Sequence, residues 1–220
     1  MLRATIHDET ATGSGGDFTG DDAFQRASRF ATRCVELAAL RVRLAPGESP
    51  AVPPTLRLDT RVVVEALAPG LPVAGARSLG GSAPAASVRR LLLPMPRERR
   101  LAIDVVPQAV AFDPGDLRRL LHELVDNALR YSAPGTTVRV RGAPGVGGYQ
   151  LSVTNPGPSL PRWALAAVRC ARQGEATVRG DGLRLGLQIA ATLALRNAAV
   201  LEVVRGGGQP NTIRVVAAPV

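Results

Sequence analysis

Two hydrophobic periods run through the chain beyond residue 100. Leu101, Ile103 and Val105 alternate with polar neighbours, the signature of a strand with one buried face. The stretch Ala111-Phe112-Asp113-Pro114-Gly115-Asp116 reads as a turn into a helix, with Asp113 as N-cap and Pro114 at the first helical position. Leu117, Leu120, Leu121, Leu124, Ala128 and Leu129 then recur at helical spacing and predict an apolar stripe. Glu123, Asn127 and Arg130 fall at i, i+4 and i+7 and stack along a separate polar face. Ala133-Pro134-Gly135 closes this helix. Thr136 to Arg141 and Tyr149 to Thr154 alternate as an antiparallel pair, with the Gly- and Pro-rich Gly142 to Gly148 read as the joining loop. Helices are expected around Trp163 to Arg172 and from Leu183 to Arg196, and strands over Ala199–Val204 and Thr212–Ala217. The order strand, helix, hairpin, helix, helix, hairpin predicts an α+β fold: a two-layer α/β sandwich of one mixed sheet with helices on a single face.

The first hundred residues pattern differently. Residues 1–12 are polar, and Thr12 to Gly16 breaks any helix there. Asp21-Asp22 suits the start of a second helix, whose apolar positions recur to about residue 44 before Ala45-Pro46-Gly47 ends it. From about 46 to 97 the chain is rich in Pro, Gly, Ala and Ser, as a linker or irregular insertion is, with Thr60–Leu67 a strand or short helix inside it. Three regions follow: a short helical region at 1–47, the Pro/Gly/Ala-rich linker or insertion at 48–97, and a main domain at 98–220.

Composition changes this picture in three places. Aromatic residues make up only 3% of the chain, so the core rests on Leu, Val and Ala. All 27 basic residues are arginine, and they are scattered apart from Arg89-Arg90 and Arg97 to Arg100. The net charge of +9 therefore lacks the clustered patch and stacking aromatics of a nucleic-acid binder, and nucleic acid is not expected as a partner. Cys34 and Cys170 belong to no metal or redox spacing. Neither an apolar run of the roughly 20 residues that a membrane span needs nor a secretion signal is visible, so the expected location is the cytoplasm.

The polar face of the predicted helix carries the chemistry. A carboxylate can hold or activate water, an amide oxygen is a hard ligand suited to Mg²⁺, and a guanidinium pairs with phosphate. The run Leu121-His122-Glu123-Leu124-Val125-Asp126-Asn127-Ala128-Leu129-Arg130-Tyr131-Ser132 closely resembles the N box of the GHKL ATPases, in the version used by sensor histidine kinases. The resemblance implies that Glu123 acts through water, Asn127 chelates Mg²⁺, and Arg130 and Tyr131 face the phosphates. After the hairpin, Val153-Thr154-Asn155-Pro156-Gly157-Pro158-Ser159 is similar to that family's G1 box. Asn155 stands where the family has an acid that accepts from the adenine amino group, Gly157 matches the first glycine and Ser159 replaces the second. An amide oxygen still accepts from an amine, without charge assistance. Gly180-Asp181-Gly182-Leu183-Arg184-Leu185-Gly186-Leu187 resembles the G2 box, a glycine-rich turn opening a helix whose free N–H groups attract phosphate. Gly182, Leu185, Gly186 and Leu187 match it, Arg184 takes the place of the middle glycine, and Leu183 lies between Gly182 and Arg184 in the same turn.

The resemblance covers about residues 98–220 and implies the GHKL (Bergerat) fold, with ATP and Mg²⁺ as cofactors. It implies a histidine-kinase-like phosphotransferase of a two-component system. A response-regulator receiver domain is then the expected partner, and a homodimer through the N-terminal helix the expected assembly. His7-Asp8 is similar to the His-acid pair of sensor-kinase dimerisation helices, which makes His7 the candidate phosphoacceptor. Residues 1–47 then read as the remnant of a dimerisation and phosphotransfer hairpin. Two other layouts share the pattern. One is a histidine phosphotransferase or docking scaffold whose degenerate GHKL domain has lost nucleotide binding. The other is an anti-sigma-factor-type serine kinase.

Overall fold

The computed structural model describes residues 20–42, 53–67, 77–78, 90–95, 99–158, 160, 164, 166, 168–169, 182–204, 210–218 and 220. A helix, α1 (Gly20–Val42), precedes a short strand and helix, β1 (Thr55–Leu58) and α2 (Thr60–Leu67). Strands β2 (Arg77–Ser78), β3 (Arg90–Pro94), β4 (Arg100–Val105) and β5 (Gln108–Ala111) lead to α3 (Pro114–Arg130). The hairpin β6 (Thr137–Gly145) and β7 (Gly148–Asn155), helix α4 (Gly182–Arg196) and the hairpin β8 (Val200–Val204) and β9 (Asn211–Ala217) complete the order. Of the helix expected around Trp163–Arg172, Ala164, Ala166, Val168 and Arg169 are helical, and the rest lies outside the described residues.

Among the described residues, the main sheet has seven strands in the order β2-β3-β4-β6-β7-β9-β8. Every neighbouring pair is antiparallel except β4 with β6. That parallel pair needs a crossover, and α3 supplies it. Leu101, Ile103, Val105, Val138, Val140, Leu151 and Val153 all turn to one buried face, while Arg139, Ser152 and Arg214 alternate with them on the other. The helices cover the buried face, as the alternation requires. A separate two-stranded sheet pairs β1, which the linker-like composition conceals, with β5.

The expected loop at Gly142 to Gly148 is instead mostly strand. Gly142 faces Leu151 in register and the strands continue to Gly145 and Gly148, leaving a two-residue turn at Val146-Gly147. Tyr149 is the reason. Its ring crosses Gly142 so closely that a Cβ there would lie 2.4 Å from the Tyr149 hydroxyl oxygen, and that hydroxyl donates to the Val106 carbonyl at 2.7 Å.

Helix α3 begins as its sequence dictates. The Asp113 side chain accepts from the Asp116 N–H at 2.9 Å, and Pro114 occupies the first turn. Leu117, Leu120, Leu121, Leu124, Val125 and Ala128 are buried. Asn197, just past the end of α4, joins the two helices. Its amide oxygen accepts from the Asp113 N–H at 2.7 Å, and its Nδ2 donates to Asp116 at 2.9 Å and to the Leu193 carbonyl at 2.8 Å. Helix α1 lies across this layer through Phe30, Cys34, Leu37 and Leu40, with Val35 turned outward. The stretch Thr60–Leu67 is a helix, capped by the Asp59 carboxylate and buried through Val63, Ala66 and Leu67.

Candidate functional site

Glu123 and Asn127, on the polar face of α3, are enclosed by α1 and α4. Glu123 is only 3% exposed. Arg33 of α1 donates to its Oε2, and Arg119, one turn earlier on α3, reaches its Oε1 at 3.0 Å. Arg119 also donates to Glu36 of α1 at 2.7 Å, so two arginines and two glutamates tie α1 to α3. Burial pushes the Glu123 carboxyl above the usual carboxylate range, and Arg33 and Arg119 oppose that rise. Asn127 lies one turn further on, also buried, and its Nδ2 has no hydrogen-bond partner among the described residues.

Gly186 of α4 seats directly on this pair. A Cβ there would come within 2.8 Å of Glu123 Oε2 and 2.9 Å of Asn127 Nδ2. Glycine is needed for the approach, because any side chain would displace the two polar groups. Leu187 next to it is buried in the core and anchors that turn of the helix by packing. Gly182 and Leu183 open α4 together with Arg184, whose side chain lies outside the described residues.

Beyond Asn127, Arg130 points along the exposed side of α3 and donates to Asp126 at 2.7 Å. Tyr131 follows as the C-cap residue, its N–H bonded to the Asn127 carbonyl and its side chain 42% exposed. The carbonyl of Tyr131 meets the loop after β7. A Cβ on Gly157 would lie 2.2 Å from the Tyr131 oxygen and 2.7 Å from Asn155 Nδ2. Buried Asn155 ends β7, in register with Asn211 at the start of β9. Asn127, Tyr131, Asn155 and Gly157, drawn from two separate motifs, therefore converge at the C-terminal end of α3. His7 and Ser159 lie outside the described residues.

A cavity of about 700 Å³ opens between α1, α2 and α3 beside this face, lined among others by Arg29, Arg33, Glu36, Arg119, His122 and Glu123. Among the described site residues, Glu123 is the one that lines it. Burial lowers the His122 pKa and Arg119 and Arg118 lower it further, against a hydrogen bond to the Ala66 backbone and the nearby Asp126 that raise it. His122 thus packs toward α2, where it meets the Ala66 backbone.

Sequence reasoning missed Arg33, Arg119 and Asn211. Arg33 and Arg119 are two arginines among 27 basic residues, and nothing in their spacing separates them from a solvated face. The Asn211 side chain binds the backbone of the loop after β7 at three points, at Leu160 (2.9 Å), Gly157 (3.2 Å) and Pro158 (2.6 Å). Its sequence signal, Pro210-Asn211-Thr212 at a strand start, is no more than a turn.

Residues 112–218 match the family model described as histidine kinase-, DNA gyrase B-, and HSP90-like ATPase. Among solved structures, a mycobacterial sensor histidine kinase, MprB, is similar with a TM-score of 0.51 and 21% identity, over 77% of this chain and 100% of that one. The Acinetobacter baumannii histidine kinase AdeS has a TM-score of 0.56 and 13% identity, over 94% of this chain and 86% of that one. Full-length ShkA in complex with AMPPNP has a TM-score of 0.50 and 19% identity, over 92% of this chain and 40% of that one. At these identities the structures share the fold. No curated protein sequence matches the chain. No helix among the described residues is long and apolar enough to cross a membrane.

Proposed function

Because residues 112–218 match the family model described as histidine kinase-, DNA gyrase B-, and HSP90-like ATPase, we propose that this chain binds Mg²⁺–ATP and transfers its γ-phosphoryl group to a histidine, as a histidine-kinase-like protein of a two-component system. The observation that carries the reading is Asn127. The Nδ2 of this buried amide has no hydrogen-bond partner among the described residues, which is costly, and Gly186 seats against it. Such a group fits a ligand site, in which its free N–H would donate to a phosphate oxygen and its oxygen would be one hard donor to Mg²⁺, the remaining donors coming from phosphate and water. When bound, magnesium neutralises charge on the phosphate oxygens.

The protein's own residues do the rest. Arg130 turns from Asp126 to the phosphates, at little cost, since an exposed i,i+4 pair contributes only about 0.3–0.5 kcal/mol. Tyr131 flanks the same phosphates, and the first turn of α4, with Gly182, Leu183 and Arg184, offers its free N–H groups to them. Asn155 and Gly157 hold the adenine. Glu123 exchanges Arg33 for an ordered water and positions the incoming nucleophile. His7 is the phosphoacceptor: its neutral ring nitrogen forms the new N–P bond as the bond from the γ-phosphorus to the bridging oxygen breaks, and ADP leaves. The acceptor's proton passes to water or to Asp8. A receiver domain takes the phosphoryl group onward, and the helix at the N-terminus mediates a homodimer.

The test is titration of a fluorescent ATP analogue with and without Mg²⁺, on the wild type and on Asn127→Ala. Magnesium-dependent binding that the substitution abolishes supports the reading. A folded wild type that binds no nucleotide overturns it. That second outcome leaves a phosphotransfer or docking scaffold, which the Arg33 contact on Glu123 and the missing acid at Asn155 favour.

A further inference from the structure

We propose that Asn211 is a positioning residue for the nucleotide base, an inference that rests on the ATP-binding reading above. The residues given to the base, Asn155 and Gly157, lie at the end of β7 and in the loop behind it. Among the described residues, two contacts help to hold that loop. One is the seat of Gly157 on the Tyr131 carbonyl. The other is Asn211, which uses both ends of its amide. Oδ1 accepts from the Leu160 N–H, and Nδ2 donates to the carbonyls of Gly157 and Pro158.

The residue type matters here. Two carbonyls need donors and one N–H needs an acceptor, and a side-chain amide offers both from one planar group. A carboxylate of the same shape keeps the acceptor for Leu160 and sets a second oxygen against two carbonyl oxygens. Asn211 also stands directly across from Asn155 in the β7–β9 register, so the strand end and the loop are held from one place. Its hydrogen bonds to Leu160, Gly157 and Pro158 reach none of the described residues assigned to the phosphates. Loosening it should therefore weaken the base contact and leave the phosphate contact alone.

Asn211→Asp in the full chain tests this. Calorimetric titration measures the affinity of wild type and variant for Mg²⁺–ATP and for Mg²⁺–tripolyphosphate, which carries the phosphates without a base. The expected result is an ATP affinity lower by about tenfold, the scale of one or two lost hydrogen bonds, with tripolyphosphate affinity unchanged. Asn211→Ser, which keeps one hydroxyl donor, should fall between the two and substitutes for the aspartate if that variant does not fold. Unchanged ATP affinity in a folded variant overturns the inference, and so does an equal loss for both ligands. A wild type that binds no ATP overturns the ATP-binding reading itself, and is seen before any substitution is made.

Discussion

Gly157→Ala tests the tightest backbone approach at the site. Gly157 does not have a positive φ, so alanine adopts the same backbone and the perturbation is purely steric. Its Cβ would lie 2.2 Å from the Tyr131 carbonyl oxygen, a backbone atom at the end of α3 that no rotamer change can move aside. Relief requires the loop to retreat by roughly 1 Å. If the loop stays, the overpacking costs about 1–3 kcal/mol. If it moves, the Asn211 bonds to Gly157 and Pro158 stretch beyond hydrogen-bonding range, and two such bonds contribute about 1 kcal/mol each. Both routes arrive near ~2 kcal/mol, less about 0.4–1 kcal/mol gained because alanine restricts the unfolded chain. The net loss is about 1–2 kcal/mol. With a urea slope near ~2 kcal/mol/M, the unfolding midpoint falls by roughly 0.5–1 M. The variant's affinity for Mg²⁺–ATP, read by the same fluorescent titration, should drop about tenfold as the loop leaves the base. An unchanged midpoint together with unchanged affinity refutes the close seat. A lowered midpoint with unchanged affinity keeps the seat and refutes its role in holding the base.

Three further outcomes follow from the geometry. Asn197→Ala removes three hydrogen bonds of a buried amide, one of them to the Asp116 carboxylate, and should lower stability by about 2–4 kcal/mol in urea unfolding; a loss below about 1 kcal/mol contradicts its role as the joint between α3 and α4. Gly186→Ala places a methyl group on Glu123 and Asn127 and should reduce magnesium-dependent nucleotide binding by about tenfold with only about 1 kcal/mol of destabilisation; undiminished binding shows that these two side chains are not where magnesium acts. His122 has a lowered pKa in the folded chain, so the fold favours the neutral ring. Its contribution is complete above the unfolded value of about 6.5 and declines as pH falls toward the lowered folded value. His122→Gln should flatten that decline in urea midpoints measured between about pH 8 and pH 5, and an unaltered slope assigns the pH dependence to other groups.

Much of the domain was legible because local chemistry and tertiary demand agree there. Asp113-Pro114 starts a helix by capping and by a preset φ, and the Leu stripe that follows has one way to be buried. The strands at Leu101, Thr137, Tyr149, Val200 and Asn211 announce themselves by alternation, since each has one face against the helices. The spacing of Glu123, Asn127 and Arg130 is a property of any helix, so their stacking needed no knowledge of the fold.

What only the tertiary structure decided involves partners far apart in the chain. Thr60–Leu67 reads equally as strand or helix, and burial of Val63, Ala66 and Leu67 selects the helix. Gly142 belongs to a strand because the Tyr149 ring needs its empty face, a neighbour that no local signal near Gly142 names. Gly157 meets Tyr131, Gly186 meets Glu123 and Asn127, and Asn211 latches the loop after β7, all across separate elements. Arg33 reaches Glu123 from 90 residues away, and it is indistinguishable in sequence from the other arginines. Periodicity and capping act within a few residues and can be read from the chain. Steric seats and buried charge pairs depend on which surfaces the packed layers bring together, and they exist only once the chain has folded.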